Sequence, residues 1–163
     1  MDEIEIGDGS DDFKADPEFK KGEFLFKEGQ LVTGFFIIKK GEVVSFKQNS
    51  ARIIPISYSK AQDMVGVESL FNNDDRYHYT ALCMEKTQVV EVSRNEVLQY
   101  LGIRAEWIGH IFFDLSKKID HTTDLITEGQ IVDDKLFGGY QFNDEVERHI
   151  RILLKEAQKN SKK

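Results

Sequence analysis

Short apolar segments rich in Phe, Val and Ile fill the chain from Phe19 to Ser59, and glycines divide them. The segments are too short for helices, and this composition is typical of β-strands joined by turns. Two further segments, Tyr79–Cys83 and Thr87–Val92, continue the pattern around a turn at Met84–Lys86. The sequence therefore predicts roughly seven or eight strands in succession, which is typical of an all-β sandwich or barrel.

One turn in this region has the pattern of a tight hairpin. Lys39-Lys40-Gly41-Glu42 lies between Phe35–Ile38 and Val43–Val44, and glycine suits the backbone of a tight connection. We therefore expect the two flanking strands to pair with each other.

The periodicity changes to that of helices at Ser93. Ser93 with Glu96 three residues later forms a capping box, which predicts a short helix. A longer helix is expected over residues ~104–127, and a final amphipathic helix over residues ~144–158 begins near the N-cap residue Asn143. The fold class predicted is mainly β with helices at its C-terminal end.

The apolar positions of the long helix repeat at steps of three and four and form a nearly straight stripe. They include Ile108, Ile111, Phe112, Leu115 and Ile119. This pattern predicts a dimer seam, by which the chain forms a homodimer. The alternative is that the stripe packs on the β-domain, and the two are compatible because one helix can present a side to each.

The totals limit the classes of function. The chain has 163 residues and a net charge of −7, so we expect no broad basic face for nucleic acid. Cys83 is the only cysteine, which excludes an intramolecular disulfide, favours a reducing compartment and predicts a buried core residue. No apolar run has membrane-spanning length. We expect a cytoplasmic protein without a membrane partner, and an acidic flexible tail at residues 1–18.

The stretch from Met64 to Thr80 contains the strongest candidate for a binding site. Gly66 lets the backbone approach a ligand, and the N–H groups of a helical turn that begins there attract anions. Arg76 supplies a planar, charged donor for a phosphate or carboxylate. The alternative for Arg76 is an ion pair with Asp74 or Asp75, which would contribute little energy.

The order of these features resembles the cyclic nucleotide-binding domain family. Residues 19–29 resemble the family's opening strand pair and its Glu-x-Gly turn, and residues 35–43 resemble its aromatic-x-Ile…Gly-x-Val hairpin. Gly66–Arg76 matches the length of the phosphate-binding cassette, and residues 87–93 resemble the strand that closes it. Several such motifs in the family's order identify the chain as a member more firmly than any one of them.

The resemblance covers residues 19–129 and leaves residues 130–163 as a C-terminal extension. It implies a β-roll that holds the cyclic phosphate against the cassette turn and its arginine, and a long helix that covers the base. The cassette residues that it implies are Gly66, Val67, Glu68, Ser69, Leu70, Arg76, Tyr77 and His78. Thr122 and Thr123 match the hydroxyl pair that contacts the adenine in catabolite activator proteins. Alternatively, they are two threonines near the exposed end of a helix.

The cassette departs from the family pattern in ways that affect the ligand. In the family a glutamate directly after the cassette glycine binds the ribose 2′-hydroxyl, but here Val67 follows Gly66 and the carboxylate is displaced to Glu68. On a helical turn this displacement rotates the side chain by ~100°. Tyr77 stands where the family has a small residue, and its ring could fill the phosphate pocket.

Two functions follow from this resemblance. The first is a non-enzymatic regulatory or sensor module that binds cAMP or cGMP weakly or atypically and signals through its long helix to an unknown protein partner. The second is a degenerate member that binds no nucleotide and acts as a dimeric scaffold for protein–protein interaction. A transcription regulator is disfavoured because residues 130–163 contain only one helical pattern. We expect neither an enzyme, nor a cofactor, nor a metal, because the four histidines lack metal-ligand spacing.

Overall fold

The computed structural model describes residues 16–49, 52–72, 74–102, 106–132 and 141–160. Within these ranges the chain forms eight β-strands followed by three α-helices, which confirms the predicted fold class. The strands are β1 (Glu18–Phe19), β2 (Phe24–Phe26), β3 (Gly34–Lys40), β4 (Val43–Asn49), β5 (Arg52–Ser59), β6 (Met64–Val65), β7 (Thr80–Cys83) and β8 (Thr87–Ser93). Between β6 and β7 lies a short 3₁₀ helix, Glu68–Phe71, which we call the cassette turn. Most of the predicted acidic tail lies outside the described residues.

The strands form two four-stranded antiparallel sheets. The first sheet has the order β1-β8-β3-β6, and the second has the order β2-β7-β4-β5. Apolar side chains from both sheets form the core between them, among them Phe36, Ile38 and Val89 from the first sheet and Phe26, Val43 and Cys83 from the second. Cys83 is buried, as expected, and burial raises the pKa of its thiol to about 11.

The predicted hairpin at Lys39–Glu42 is wrong, because this turn connects the two sheets. β3 pairs with β6 and β8, whereas β4 pairs with β5 and β7. Gly41 has a φ of +105°, and a Cβ atom at this position would lie 2.5 Å from Thr87 Oγ1 in β8. The glycine is required because the chain crosses between the sheets in close contact with β8. The predicted opening strand pair is likewise divided, since β1 and β2 lie in different sheets.

The three helices are α1 (Arg94–Gly102), α2 (Glu106–Glu128) and α3 (Asp144–Asn160). The capping box before α1 is confirmed, because the Ser93 hydroxyl donates to Glu96 Oε2 at 2.7 Å and Glu96 N donates to Ser93 Oγ at 3.2 Å. The predicted cap of α3 is also present, since Asn143 Oδ1 accepts a hydrogen bond from Val146 N at 3.0 Å. α2 packs against the cassette turn, α1 and β4. The long helix therefore lies directly beside the candidate site.

The last helix covers the outer face of the second sheet. Its buried side chains, Ile150 and Leu153, pack in one apolar cluster with Val44, Phe46, Ile53 and Leu82 of the sheet. Glu147 Oε1 accepts a hydrogen bond from Ile53 N in the edge strand β5 at 3.2 Å. This contact satisfies a backbone donor that an edge strand would otherwise expose. α3 thus forms a second apolar cluster with the outer face of this sheet.

Candidate functional site

The cassette begins with a glycine in a conformation that favours glycine. Gly66 has a φ of +90°, and its N–H donates to the Tyr79 hydroxyl at 3.0 Å. Val67, which precedes the cassette turn, is 38% exposed, whereas Ser69 and Leu70 within the turn are buried. The residue that stands in place of the family's glutamate therefore faces solvent.

Glu68 faces inwards. Its Oε1 atom is buried and has no hydrogen-bond partner among the described residues. Burial raises the pKa of the Glu68 carboxyl and the nearby Asp120 raises it further, while the Tyr79 hydroxyl and the backbone N–H of Glu68 oppose this shift. The displaced carboxylate thus lies inside the site, at the interface between the cassette turn and α2.

Arg76 lies at the rim of the site and is held by backbone. Its Nη1 atom donates to the Gly29 carbonyl at 2.5 Å, and its backbone N–H donates to Asp74 Oδ1 at 3.2 Å. Asp75 pairs instead with Arg94. Within the described part of the chain, no ion pair joins the Arg76 guanidinium to Asp74 or Asp75, so the alternative of a surface ion pair for Arg76 is wrong.

Tyr77 fills the space beside the cassette glycine. Its side chain is 2% exposed, and its ring stacks on Phe26 with a centroid distance of 3.8 Å and an interplanar angle of 9°. A Cβ atom on Gly66 would lie 3.2 Å from Tyr77 Cε1. The Tyr77 hydroxyl donates to the Gly34 carbonyl at 2.6 Å. The tyrosine is therefore a core residue that occupies the region where the family pattern has a small side chain.

His78 connects the cassette loop to the long helix. Its Nε2 atom lies 3.0 Å from Asp74 Oδ1, and its Nδ1 atom lies 3.2 Å from Asp120 Oδ2 on α2. Burial raises the pKa of Asp120 although His78 opposes the shift. Partial burial raises the pKa of Asp74, but the hydrogen bonds from His78 and from the backbone N–H of Arg76, together with the charge of His78, give a net lowering.

A cavity of about 300 Å³ opens beside these residues. Its charged lining comprises Glu28, Lys47, Asp74, Arg76 and Asp124, together with His78. Lys47 Nζ pairs with Asp124 Oδ1 at 2.6 Å and joins β4 to α2. Burial raises the pKa of Glu28, and Lys47 and His78 oppose this shift. The lining mixes carboxylates with cations, so an entering phosphate would meet both attraction and repulsion.

The long helix turns an unexpected face towards the β-strands. Its less exposed side includes Phe113, Ser116, Asp120, Thr123 and Thr127. Asn49 Nδ2 in β4 donates to the Thr127 carbonyl at 2.9 Å. The inward face is therefore largely small and polar, and most of the predicted seam lies on the outward side.

Four of the five predicted seam residues are exposed. They are Ile111, Phe112, Leu115 and Ile119, while Ile108 is half-buried. The Phe112 ring also stacks on Phe71 of the cassette turn at 5.1 Å. Phe112 thus contacts the chain's own site as well as solvent, and the outward stripe is formed by Ile111, Leu115 and Ile119.

The predicted base-contact pair lies on α2 outside the lining of the cavity beside Arg76. Thr122 and Thr123 line a groove on α2 together with Leu115 and Ile119, next to the outward stripe. The Thr122 hydroxyl donates to the Lys118 carbonyl at 2.8 Å. Neither threonine lines the cavity beside Arg76, which receives Asp124 from this helix instead.

A family model for the cyclic nucleotide-binding domain matches residues 17–103, which is more than half of the chain. The chain belongs to the cyclic nucleotide-binding domain family. The matched residues contain both sheets, the cassette and α1, whereas α2 and α3 follow them. A search of curated proteins found no match to this chain.

Solved structures with the same fold include proteins of different kinds. The EAL enzyme Bd1971 in its cAMP-bound form is 19% identical, with a TM-score of 0.60 over 69% of this chain and 30% of that chain. The sensor domain of the transcriptional regulator DNR from Pseudomonas aeruginosa is 16% identical, with a TM-score of 0.56 over 66% of this chain and 73% of that chain. Thermus thermophilus catabolite activator protein is 16% identical, with a TM-score of 0.52 over 69% and 55% of the two chains. This chain spans less than a third of the EAL enzyme, and at these identities the likeness establishes the fold.

Sequence reasoning did not find the contacts between the cassette and α2. His78 and Asp120 are far apart in the chain, and no local pattern indicates that they meet; the same holds for Lys47 and Asp124. Within the described residues, no group of three or more His, Cys, Asp or Glu side chains could hold a metal ion. None of the described helices is long and apolar enough to cross a membrane.

Proposed function

We propose that the chain is a non-enzymatic regulatory module that has kept the fold of its family and uses its own side chains in place of a cyclic nucleotide. Its output in this proposal is the outward face of α2, which mediates self-association. The observation that carries the proposal is the position of Tyr77, buried against Phe26 beside Gly66.

Both the space beside the cassette glycine and the charge of the site disfavour a cyclic phosphate. In the family the cyclic phosphate lies against the cassette turn and its arginine. Here the buried Tyr77 ring lies beside Gly66, so a phosphate drawn close to this glycine would meet the ring, and moving a side chain of this size out of the core costs several kcal/mol. It would also approach the inward-facing Glu68 carboxylate, whose negative charge opposes an anion.

The contacts of α2 supply the second argument. The helix is tied to the β-strands by the ion pair between Lys47 and Asp124 and by the hydrogen bond from Asn49 to Thr127. Both contacts are made by groups of the chain itself. A bound nucleotide is therefore not needed to place the long helix next to the cassette.

The outward face of α2 supports self-association. Ile111, Leu115 and Ile119 are 49%, 49% and 48% exposed and lie at steps of four on the helix. Exposed apolar residues in such a row favour a helix–helix interface, because burying them removes apolar surface from water. A second copy of the chain presents the same row and can bury it by two-fold symmetry.

Analytical ultracentrifugation of the wild-type chain and of Ile111→Glu and Leu115→Glu tests this proposal. We expect a dimer for the wild type and a monomer for both variants, because a buried charge at the seam is costly. Ile152→Glu is the matched control, since Ile152 is 47% exposed on α3, and it should remain dimeric. A monomeric wild type, or dimers for both seam variants, would overturn the proposed interface.

A second candidate function is cyclic nucleotide binding in the cavity beside Arg76. The observation that favours it is the pair of cations, Lys47 and Arg76, in the lining of this cavity, and one structural relative was solved in a cAMP-bound form. Calorimetry with cAMP and cGMP at about millimolar concentration, a range that detects even weak binding, separates the two functions. If the chain's own side chains take the place of the nucleotide, no heat of binding is expected. Binding that is lost in Arg76→Ala and kept in the exposed control Arg148→Ala would establish the second candidate.

A further inference from the structure

The contact between the cassette loop and α2 contains a histidine in an arrangement that one protonation state satisfies better than the other. Both ring nitrogens of His78 face carboxylates, at 3.0 Å for Nε2 to Asp74 and 3.2 Å for Nδ1 to Asp120. A carboxylate oxygen only accepts hydrogen bonds when ionised, and a neutral imidazole has one N–H. Only the protonated ring can donate to both partners at once.

Several charged groups surround His78. Carboxylates come from four parts of the chain, namely Glu28, Glu68, Asp74, Asp120 and Asp124. The facing cations are Lys47, Arg76 and Lys117, and His121 lines the same side of α2. Carboxylates outnumber the permanent cations among these groups, so the ring lies among hydrogen-bond acceptors of negative charge.

We propose that His78 is a proton-dependent latch, which holds the segment of α2 around Asp120 against the cassette loop when the ring is protonated and releases that segment when the ring is neutral. His78 contacts Asp120 on α2 and Asp74 in the cassette loop. A histidine ordinarily titrates in the range of about pH 5 to 8, so a change of this kind falls within the range of cellular pH.

Neighbouring carboxyls act in the same direction. Burial raises the pKa of both Glu68 and Asp120, and the charge of Asp120 raises the pKa of Glu68 further. As the pH rises, these two carboxyl groups lose their protons. The interface then holds like charges on the cassette turn and on α2, and their repulsion adds to the loss of the histidine bridge. The latch is therefore closed at low pH and open at high pH.

Hydrogen–deuterium exchange tests the latch at about pH 6 and about pH 8, the two sides of an ordinary histidine titration, with labelling times scaled to the intrinsic exchange rates. The protein used is Ile111→Glu, so that dissociation of a dimer does not contribute. We expect the segment of α2 around Asp120 to exchange several-fold faster at the higher pH. His78→Gln should remove this pH dependence, and His110→Gln, the same substitution at an exposed position of α2, should keep it.

Two results would overturn the proposal: equal protection of α2 at both values of pH, or an unchanged pH response in His78→Gln. If His78→Gln does not fold, nitrogen-15 NMR of the histidine rings in the otherwise unchanged chain decides. Both His78 nitrogens should carry protons where α2 is protected, and titration of His78 without a change in helix protection would contradict the latch. The latch rests on the proposed function only in taking α2 as the helix that transmits the signal. Sedimentation measures self-association separately, so either proposal can fail without the other.

Discussion

At the scale of single residues, Glu68 shows how a one-residue displacement changes the character of the cassette. The sequence places this carboxylate one position later than the family pattern, and rotation on a helical turn was expected to point it elsewhere. In the structure the intervening Val67 takes the exposed position, while Glu68 turns inwards beside Tyr79 and Asp120. A carboxylate that recognises a hydroxyl needs a free approach from solvent, and this one is enclosed.

The enclosed carboxylate gives a prediction about stability. Burial raises the pKa of Glu68 in the folded state, so the folded protein favours the protonated carboxyl. The stability that this proton contributes is fully present below the unfolded pKa and is lost as the pH rises through the folded pKa. Glu68→Gln removes this loss. We expect the variant to be more stable than the wild type at pH 7, by about 1.4 kcal/mol for each unit of pKa shift that it removes, with no gain near pH 4. Urea denaturation across this pH range measures the difference.

Glu96→Gln provides a control of opposite sign. The hydrogen bonds from Ser93 lower the pKa of Glu96 in the capping box, so its contribution is present above the unfolded pKa and disappears as the pH falls through the folded pKa. Replacing it should reduce stability at neutral pH and have little effect in acid. A Glu68→Gln variant that is destabilised equally at every pH would show that the carboxylate has a packing role and no ionisation penalty.

At the scale of secondary structure, the sequence predicts helix ends well and strand partners poorly. The caps at Ser93 and Asn143 are local, because each side chain bonds to a backbone or side-chain group within one turn. Strand pairing is not local. The sequence pattern around Gly41 would be the same whether β4 paired with β3 or crossed to the other sheet. Only the close approach of Gly41 to Thr87, a contact across the fold, distinguishes the two.

The long helix illustrates the same limit for the site. The spacing of its apolar residues predicts an apolar stripe, but this spacing alone does not say whether the stripe faces the β-strands or solvent. The structure turns Ser116 and Asp120 inwards and leaves Ile111 and Leu115 outside. The frame of the site, Gly66 and Arg76, could be recognised from the sequence, whereas the bridge from His78 to Asp120 depends on how two distant segments pack.

At the scale of the whole molecule, the net charge of −7 opposes the association proposed for α2. Two copies with the same charge repel each other at long range, while the exposed Ile111, Leu115 and Ile119 attract at contact. The balance depends on salt, because the Debye length falls from about 30 Å at 10 mM to about 8 Å at 150 mM ionic strength. Apolar burial is almost unaffected over this range.

The dissociation constant of the wild-type dimer is therefore expected to fall as sodium chloride is raised from about 10 mM to about 150 mM, the range over which this screening develops. Sedimentation equilibrium at several protein concentrations measures the constant, and Ile111→Glu should stay monomeric throughout the series. If salt instead weakened the dimer, ion pairs would have to hold the two copies together. The interface would then lie on a charged surface of the molecule, away from the apolar face of α2.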